Sequence, residues 1–462
     1  MEAVSEELMV RGYLTPNDLC TAGEDDSASI QNAVDLAAGC GLNKVVIPRY
    51  NTRAGAMRWV FDRPVLLPSD MAIVLDNCFL TLADGVYANF FRTANIYTEQ
   101  GLDIRREYEN ISITGIGTAV LDGGQPNDLS ELTQYRDGRP AVRYNTPILF
   151  FNVRYFTVEN LTIRDQRYWG LCFQYCKCGR IANIRMDVCG DRRNQDGINL
   201  RNGCSNIIIE NIYGQTGDDM IALSAIDTPR EDRYNVTIPE WDNDIHHVVI
   251  RNISGWALDH PLVALRNHNG AKLYNVIIEN IQDTALVREC PKGSLPKYAI
   301  IRIGNNFYYK TRPSVMGETS DIYISNVIAR TSDRAVTISA TLKNSRFTNI
   351  RCYERCGAAV SINPVWAGDP GAQIENLTVD GVTLAPTETN IESAVVDFNT
   401  QRPGDYVRGM YVRDVHVDGA DHLANLSGDT ELTFENVRAE HLRAEAVKIR
   451  AGDEDRIKLT MK

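Results

Sequence analysis

Three carboxylates and one histidine stand just ahead of short apolar triplets in the middle of the chain. Asp196 precedes Gly-Ile-Asn-Leu, the pair Asp218-Asp219 precedes Met-Ile-Ala-Leu, and His260 with Pro261 precedes Leu-Val-Ala-Leu. Aligning the triplets puts Asp196 and Asp219 in one column, and Asp218 and His260 in the preceding column. Clustered carboxylates of this kind suit the acid and base steps of glycosidic-bond cleavage.

The proposed spacing has a consequence for protonation. Stacked parallel strands lie about 4.8 Å apart, so carboxylates on neighbouring strands repel one another strongly. The easiest relief is for one carboxyl to keep its proton near neutral pH, and a protonated acid beside ionised ones is the working state of a glycosidase. The alternative is a surface aspartate cluster holding calcium, which prefers oxygen ligands and would indicate an eliminating lyase.

A repeat explains how these residues come together. A unit ending apolar-x-apolar-x-Asn-apolar recurs with its asparagines at Asn160, Asn183, Asn211, Asn252, Asn280, Asn326, Asn349 and Asn436. From 160 to 349 the steps are 23, 28, 41, 28, 46 and 23 residues, a period typical of a solenoid. Each unit alternates apolar and polar residues and is rich in β-branched ones, so the units are strands. We predict an all-β parallel β-helix whose corner asparagines form a ladder.

One helix is predicted outside the repeat, over residues 26–38. Its apolar residues fall at 30, 33, 34 and 37, and Gly39 and Gly41 follow it. An amphipathic helix at this point would cover the exposed end of the first coil. We therefore predict a single β-helix domain over 1–462, with a cap region at 1–60, coils from about 65 to 440 and a tail at 441–462.

Composition narrows the function classes. A net charge of −12 argues against binding to nucleic acid, because neutralising phosphates needs a basic face. The chain shows no signal peptide and no membrane span, so a cytoplasmic protein is expected. Its eleven cysteines lack metal-site spacing and are expected to be reduced. We expect a carbohydrate substrate, no cofactor and no metal, and the sequence leaves the oligomeric state open.

Four motifs carry a resemblance to a known family. In order along the chain they are Asn194-Gln195-Asp196, Gly217-Asp218-Asp219, Asp259-His260-Pro261 and Arg302-Ile303-Gly304. They resemble the Asn-Thr-Asp, Gly-Asp-Asp, Gly-His-Gly and Arg-Ile-Lys motifs of glycoside hydrolase family 28, the polygalacturonase family. The resemblance runs from about residue 105 to 350, and its last two motifs depart from the pattern. It implies a right-handed parallel β-helix of the pectin-lyase type.

The resemblance also implies roles for individual residues. Asp218 would be the general acid, and Asp196 and Asp219 would hold and deprotonate the attacking water of an inverting mechanism. His260 would tune the acid by hydrogen bonding. The substrate would be bound by residues around these carboxylates, which are Asn194, Trp169, Arg266, His268, Arg302 and Lys310.

The departures bear on the substrate. Gly304 stands where the family has the lysine of an anion clamp, and the candidates to replace it are Arg266, His268, Lys297 and Lys310. A neutral or less acidic pectic sugar is therefore expected, and the insertions at 226–244 and 282–297 favour a closed pocket and exo action. The alternatives are a β-helix polysaccharide lyase or fructotransferase, and a non-catalytic glycan-binding protein of the tailspike kind.

Overall fold

The computed structural model describes most of the chain. The described residues are 5–19, 25–86, 88–96, 103, 105–125, 146–226, 238, 240–291, 293, 297–304, 312–363, 371–398 and 404–462. Lys310 and most of the insertion at 226–244 lie outside them.

Within the described residues the structure consists of two helices and thirty strands. The helices are α1 (Glu6–Arg11) and α2 (Asp26–Gly39), with 3₁₀ turns at Pro16–Leu19 and Glu454–Arg456. The strands are β1 (Lys44–Pro48), β2 (Trp59–Phe61), β3 (Val65–Leu67), β4 (Ala72–Asp76), β5 (Phe79–Leu82), β6 (Phe91–Thr93), β7 (Tyr108–Ile116), β8 (Val120–Asp122), β9 (Ile148–Phe151), β10 (Val153–Arg164), β11 (Leu171–Gln174), β12 (Lys177–Asp187), β13 (Ile198–Arg201), β14 (Ser205–Thr216), β15 (Ile221–Ala225), β16 (Ile245–Ala257), β17 (Val263–Asn267), β18 (Leu273–Asp283), β19 (Lys297–Ile303), β20 (Thr319–Ala329), β21 (Ser332–Ile338), β22 (Thr341–Glu354), β23 (Ala358–Ser361), β24 (Gln373–Pro386), β25 (Ala394–Phe398), β26 (Tyr406–Asp418), β27 (His422–Leu426), β28 (Asp429–Glu440), β29 (Val447–Ile449) and β30 (Ile457–Met461).

The strands form two parallel sheets, and the chain alternates between them. The thirteen-stranded sheet contains β3, β6, β9 and then every odd-numbered strand from β11 to β29, and the other strands form a seventeen-stranded sheet. From β10 onward each strand pairs with the strand two places along, so one coil adds one strand to each sheet. The chain is therefore a right-handed parallel β-helix, as the repeat and the resemblance predict.

The interior consists of stacked apolar side chains in register. In the thirteen-stranded sheet Ile198, Ile221, Val263 and Ile301 pair in succession, and all four are fully buried. Burying such a side chain contributes about 1.5–3 kcal/mol relative to leaving it exposed. Because side chains alternate between the two faces of a strand, this inward stack fixes which residues of each strand point outward.

The corner asparagines form the predicted ladder. The amide of Asn183 donates to the side-chain oxygen of Asn160 at 2.9 Å, and the same bond repeats from Asn211 to Asn183 at 2.8 Å and from Asn280 to Asn252 at 3.0 Å. These residues have left-handed backbone angles, for example φ +61° at Asn160. The ladder asparagines are exposed at the surface, and the ladder joins neighbouring coils through side-chain amides.

The N-terminal helix covers the first coils as predicted. It spans Asp26–Gly39, and the Asp25 side chain caps it by accepting from the amide of Ala28 at 2.7 Å. The four positions predicted to be its apolar face, Ile30, Ala33, Val34 and Ala37, are all buried. The face packs against β1, β2 and β3.

The coils extend beyond the predicted bounds at both ends. Strand β1 lies within 1–60 and β2 begins there, and β29 and β30 lie within 441–462, where they pair with β27 and β28. The ten cysteines among the described residues are free thiols. No helix in this part of the chain is long and apolar enough to cross a membrane.

Candidate active site

Backbone hydrogen bonds set the carboxylate column. The amide of Gly170 donates to the carbonyl oxygen of Asp196 at 2.9 Å, and the amide of Gly197 donates to that of Asp219, also at 2.9 Å. The amide of Met220 donates to the carbonyl oxygen of Pro261 at 3.3 Å. Asp196, Asp219 and Pro261 therefore occupy equivalent positions on three successive coils, where the chain enters β13, β15 and β17.

A glycine next to the first carboxylate permits this stacking. A Cβ atom on Gly197 would lie 2.4 Å from the carbonyl oxygen of Met220 on the next coil. Because that contact is with backbone, a side chain here would push the two coils apart. The Asp-Gly sequence thus sets the distance between Asp196 and Asp219.

Asp218 and His260 are in direct contact beside this column. Nδ1 of His260 lies 3.1 Å from Oδ1 of Asp218 and 3.8 Å from Oδ1 of Asp219. Oδ1 of Asp218 also accepts from the amide of Asp219 at 2.8 Å, which fixes the orientation of the carboxyl group. The side chains of His260 and Asp218 keep 28% and 15% of their exposure, so both can reach a ligand.

Asp219 is completely buried and lies against two arginines. The guanidinium group of Arg266 forms an ion pair with Oδ2 of Asp219, and Nη2 of Arg302 lies 3.9 Å from the same oxygen. A buried carboxylate requires such a partner, since an unpaired charge in the interior is very costly. The ligand atoms of Asp218, Asp219 and His260 also lie within 4.8 Å of one another, a spacing that suits a cation. Arg266 already supplies positive charge at this point.

Asp196 differs from its neighbours in its protonation. It is 5% exposed, and burial raises the pKa of Asp196 well above the usual value for aspartate. The negative charge of Asp218 raises that pKa further, while Arg266, Asn199 and Arg201 oppose the shift. Asp196 therefore retains its proton at higher pH than an ordinary aspartate does.

Arg201 belongs to the site although the sequence motifs do not indicate it. It pairs in register with Ser224, which pairs with Arg266, so the two arginines point outward from the same column. Its guanidinium group lies 4.7 Å from the ring centre of Trp169, whose indole also stacks on Tyr168. The same triplet alignment that places the carboxylates would have found Arg201, because it lies two residues after the outward-facing Asn199.

Trp169 is buried and Asn194 is half-buried in this structure. Trp169 is 6% exposed and is part of a buried aromatic cluster with Tyr168 and Tyr175, so it supports Arg201 and does not offer an open stacking face. Asn194 is half-buried and adopts φ +57° in the turn that leads to Asp196.

The predicted replacements for the missing lysine differ in charge. Arg266 is in the site, whereas His268 is buried, and burial together with the charge of Arg266 lowers the pKa of His268 to about 4. His268 is therefore uncharged at neutral pH. Lys310 lies outside the described residues. Gly304 itself has φ +139°, and a Cβ atom there would lie 2.4 Å from Oγ of Ser339, so the chain cannot accept a lysine at this position without moving.

A separate cleft lies toward the N-terminal coils. Its volume is about 660 Å³, and its lining includes Asp122, Arg164, Asp165, Asp191 and Arg192. Asp191 and Arg192 belong to the loop that leads to Asp196 and β13. The clustered carboxylates are not part of its lining.

Comparison with known proteins supports the motif-based interpretation. The family model described as Glycosyl hydrolases family 28 matches residues 67–242. The chain is 25% identical over 120 residues to Polygalacturonase ADPG1 of Arabidopsis thaliana, a match that covers 26% of this chain and only 28% of that protein.

Solved structures show the same fold. An exopolygalacturonase from Thermotoga maritima superposes with a TM-score of 0.53 at 16% identity, covering 92% of this chain and 91% of that one. A tailspike protein of E. coli bacteriophage HK620 superposes with a TM-score of 0.56 at 13% identity, covering 98% and 81%.

The resemblance to family 28 glycosyl hydrolases is thereby confirmed. The matched segment contains Asp196, Asp218 and Asp219, while His260 and Arg302 lie beyond it. Because their identity to this chain is low, the structural matches show only that the parallel β-helix fold is shared.

Proposed function

We propose that this chain is an inverting glycoside hydrolase that removes terminal residues from a pectin-type glycan. The observation that carries the proposal is the contact of Asp218 with His260, next to a buried carboxyl group, Asp196, whose pKa is raised by burial and by the charge of Asp218. The family 28 match over the carboxylate segment supports the same reaction class.

The three carboxyl groups divide the proton transfers. Asp218, oriented by His260 and by the amide of Asp219, donates the proton to the leaving oxygen. Asp196, in its ionised form, takes the proton from water, so the reacting form of the protein is the one with Asp196 ionised and Asp218 protonated. Inversion requires the acid and the base to stand roughly 6.5–9.5 Å apart, with the water between base and sugar.

Asp219 and the arginines hold the reacting groups in place. The Arg266 guanidinium engages one oxygen of the buried Asp219, and the other oxygen lies 3.8 Å from Nδ1 of His260, so Asp219 is proposed to position both of these groups. Arg302 lies outward beside Asp219 and is proposed to bind the sugar next to the cleaved bond. Fixing the catalytic groups and the sugar in this way supplies much of the rate gain of such enzymes.

The substrate is proposed to be less acidic than polygalacturonate. A uronate carboxylate calls for a basic pair, and Gly304 cannot provide the second member. His268 is uncharged at neutral pH, and the guanidinium group of Arg266 is already paired with Asp219, so neither replaces the missing lysine. A neutral or mixed pectic oligosaccharide fits these groups better.

One assay separates this reaction from its alternatives. Purified protein is incubated with defined pectic oligosaccharides, with and without a chelator, and new reducing ends, unsaturated products and the product anomer are measured by proton NMR. The proposal predicts reducing ends of inverted configuration that are insensitive to the chelator. Unsaturated products would indicate a lyase, and binding without any product would indicate a tailspike-like binding protein.

A further inference from the structure

A second polar pocket lies on the same outward face as Arg302, several coils toward the C-terminus. Arg302 pairs in register with Thr337, and the pairing continues through Ser361 and Asp397 to Asn425. The pocket has a volume of about 350 Å³. Its lining consists of Arg334, Asn363, Ile391, Glu392, Ala394, Asp397 and Asn425.

Asp397 is the central acceptor of this pocket. Its neighbours Val396 and Phe398 are in the core, so its own side chain points outward. Nδ2 of Asn363 donates to one oxygen at 2.9 Å, and Nδ2 of Asn425 donates to the other at 3.2 Å. Burial raises the pKa of Asp397, which reflects a carboxyl group largely withdrawn from water.

Donors and acceptors alternate around the pocket wall. Arg334 donates to Oγ of Ser361 at 3.2 Å, and its guanidinium group stacks on Tyr298 with 4.7 Å to the ring centre. A rigid set of amide donors next to a carboxylate acceptor can pair with adjacent hydroxyl groups, each of which both donates and accepts.

The pocket has no surplus positive charge. Arg334 faces the carboxylates of Asp397 and Glu392, and Glu392 is paired with Lys448 at 2.6 Å and lies 3.0 Å from His422. An incoming carboxylate would therefore meet two negative groups, whose repulsion is unfavourable. Uncharged hydroxyl groups would not.

We propose that this pocket is a distal subsite for a neutral sugar residue of the glycan whose end occupies the catalytic site. The inference rests on the proposed function, because it takes the catalytic face as the glycan-binding face. Five strand pairings separate β15 from β25, which is about 24 Å at the spacing of parallel strands. An oligosaccharide spans that distance and a disaccharide does not.

The test measures binding by calorimetry with catalysis removed. The Asp218→Asn protein is titrated with a neutral galactan hexasaccharide, the matching disaccharide and hexagalacturonate. The measurement is repeated after adding Asp397→Ala or Asn425→Ala, and with Asp380→Asn as control. Asp380 pairs with Arg346 and Arg413 on the other sheet, so it is a carboxylate remote from the pocket.

We expect the hexasaccharide to bind about tenfold more weakly, or worse, after either pocket substitution, since charge-assisted hydrogen bonds are lost. Disaccharide binding and the Asp380→Asn control should be unchanged. Equal hexasaccharide affinity with and without Asp397, in a variant with normal circular dichroism, would overturn the proposal. Should Asp397→Ala fail to fold, Asn425→Ala tests the same subsite, and unchanged hexasaccharide affinity in that variant would overturn the proposal equally.

The outcomes separate this inference from the proposed reaction. Wild-type protein that releases no reducing ends, while the hexasaccharide still binds in an Asp397-dependent way, would refute the hydrolase and keep the subsite. Wild-type protein that hydrolyses oligosaccharides, with affinity independent of Asp397 and Asn425, would keep the hydrolase and refute the subsite. Tighter binding of hexagalacturonate than of the neutral hexasaccharide would refute the neutral-sugar assignment.

Discussion

At the scale of single residues, the chemistry of the site depends on where one proton is held. The charge of Asp218 acts on Asp196 from the neighbouring coil, and burial makes Asp196 harder to ionise than an ordinary aspartate. His260 contacts Asp218, while Arg266 contacts Asp219. Three carboxyl groups of the same chemistry thus have different environments, and their environments separate their roles.

The acid role proposed for Asp218 predicts a large kinetic effect from a small change. Asp218→Asn should lower kcat by about 10²–10⁴, the usual contribution of general acid catalysis. Its melting temperature should stay near that of the wild type, because the side chain is partly exposed. Asp380→Asn, on the other sheet, serves as the control with full activity. Turnover above about a tenth of the wild-type rate would remove Asp218 from the acid role.

The raised pKa of Asp196 predicts a stability effect of definite sign. Folding favours the protonated form of this carboxyl group. The stability that protonated Asp196 contributes to the fold is therefore fully present below the unfolded-state pKa of about 3.9, and it is lost as pH rises through the folded-state pKa. Asp196→Asn should therefore melt at a higher temperature than the wild type at pH 7, and the gap should close as the pH falls toward 4. Thermal melts across this range measure it.

Asp421 provides a control of opposite sign. Burial raises the pKa of Asp421, but hydrogen bonds from Ser393 and the charge of Arg443 outweigh burial and lower it overall. That carboxylate contributes stability above its unfolded pKa, which is lost as pH falls through the lower folded pKa. Asp421→Asn should then melt below the wild type at neutral pH. A gap of the same sign in both variants would contradict the assignment for Asp196.

At the scale of elements, the corner asparagines connect the coils through their side chains. Each asparagine adopts a left-handed backbone angle and bonds to its neighbours above and below. The ladder is exposed, so its contribution comes from amide hydrogen bonds and backbone preference and not from buried groups. It lies within the long strands of the seventeen-stranded sheet, away from the carboxylate turns, and it should affect stability without affecting chemistry.

Two substitutions at Asn280 separate these contributions. Asn280→Ala loses the bonds to Asn252 and Asn326 and also forces alanine into φ +59°, so it should cost about 1–3 kcal/mol. Asn280→Gly loses the bonds but tolerates the angle, so it should cost less. Denaturant unfolding gives both values. Equal costs would show that the backbone angle is irrelevant, and a fall in kcat of the folded protein would contradict the structural role.

At the scale of the whole molecule, the β-helix places the outward-facing residues of successive coils in a row along one face. Asp196 precedes β13, Asp218 and Asp219 precede β15, and His260 precedes β17. Arg302 and the distal pocket follow on later coils of the same sheet. An extended glycan can lie along such a face, with the side chains of one coil after another contacting it. Substrate preference is then a property of several coils together.

Substrate preference is testable with the intact protein. We expect slow hydrolysis of polygalacturonate and faster release of terminal residues from neutral or mixed pectic oligosaccharides. Arg302→Ala should raise KM more than it lowers kcat, because the arginine is proposed to bind the sugar. Fast cutting of polygalacturonate in mid-chain would refute both the substrate and the exo assignments. Gly304→Lys should not restore such activity, since a side chain there meets Ser339.

The sequence determined the periodic features of this protein. The Asn repeat, the alternation of apolar residues and the triplets after the carboxylates predict the β-helix, the ladder and the column of Asp196 and Asp219. These predictions succeed because register in a parallel stack follows the inward pattern, and a slip of one residue would turn every core side chain outward. The buried face of α2 follows from helical period in the same way.

The tertiary structure alone decided which groups contact each other across coils. Examples are the pairing of Arg266 with Asp219, the stacking of Arg201 on Trp169 and the uncharged state of His268. These features depend on side-chain rotamers and on burial. The strand pattern specifies only whether a side chain points inward or outward. Gly304 is the clearest example. The sequence shows only that a glycine replaces the lysine of the motif, whereas the structure shows that its backbone angle and its closeness to Ser339 require a glycine.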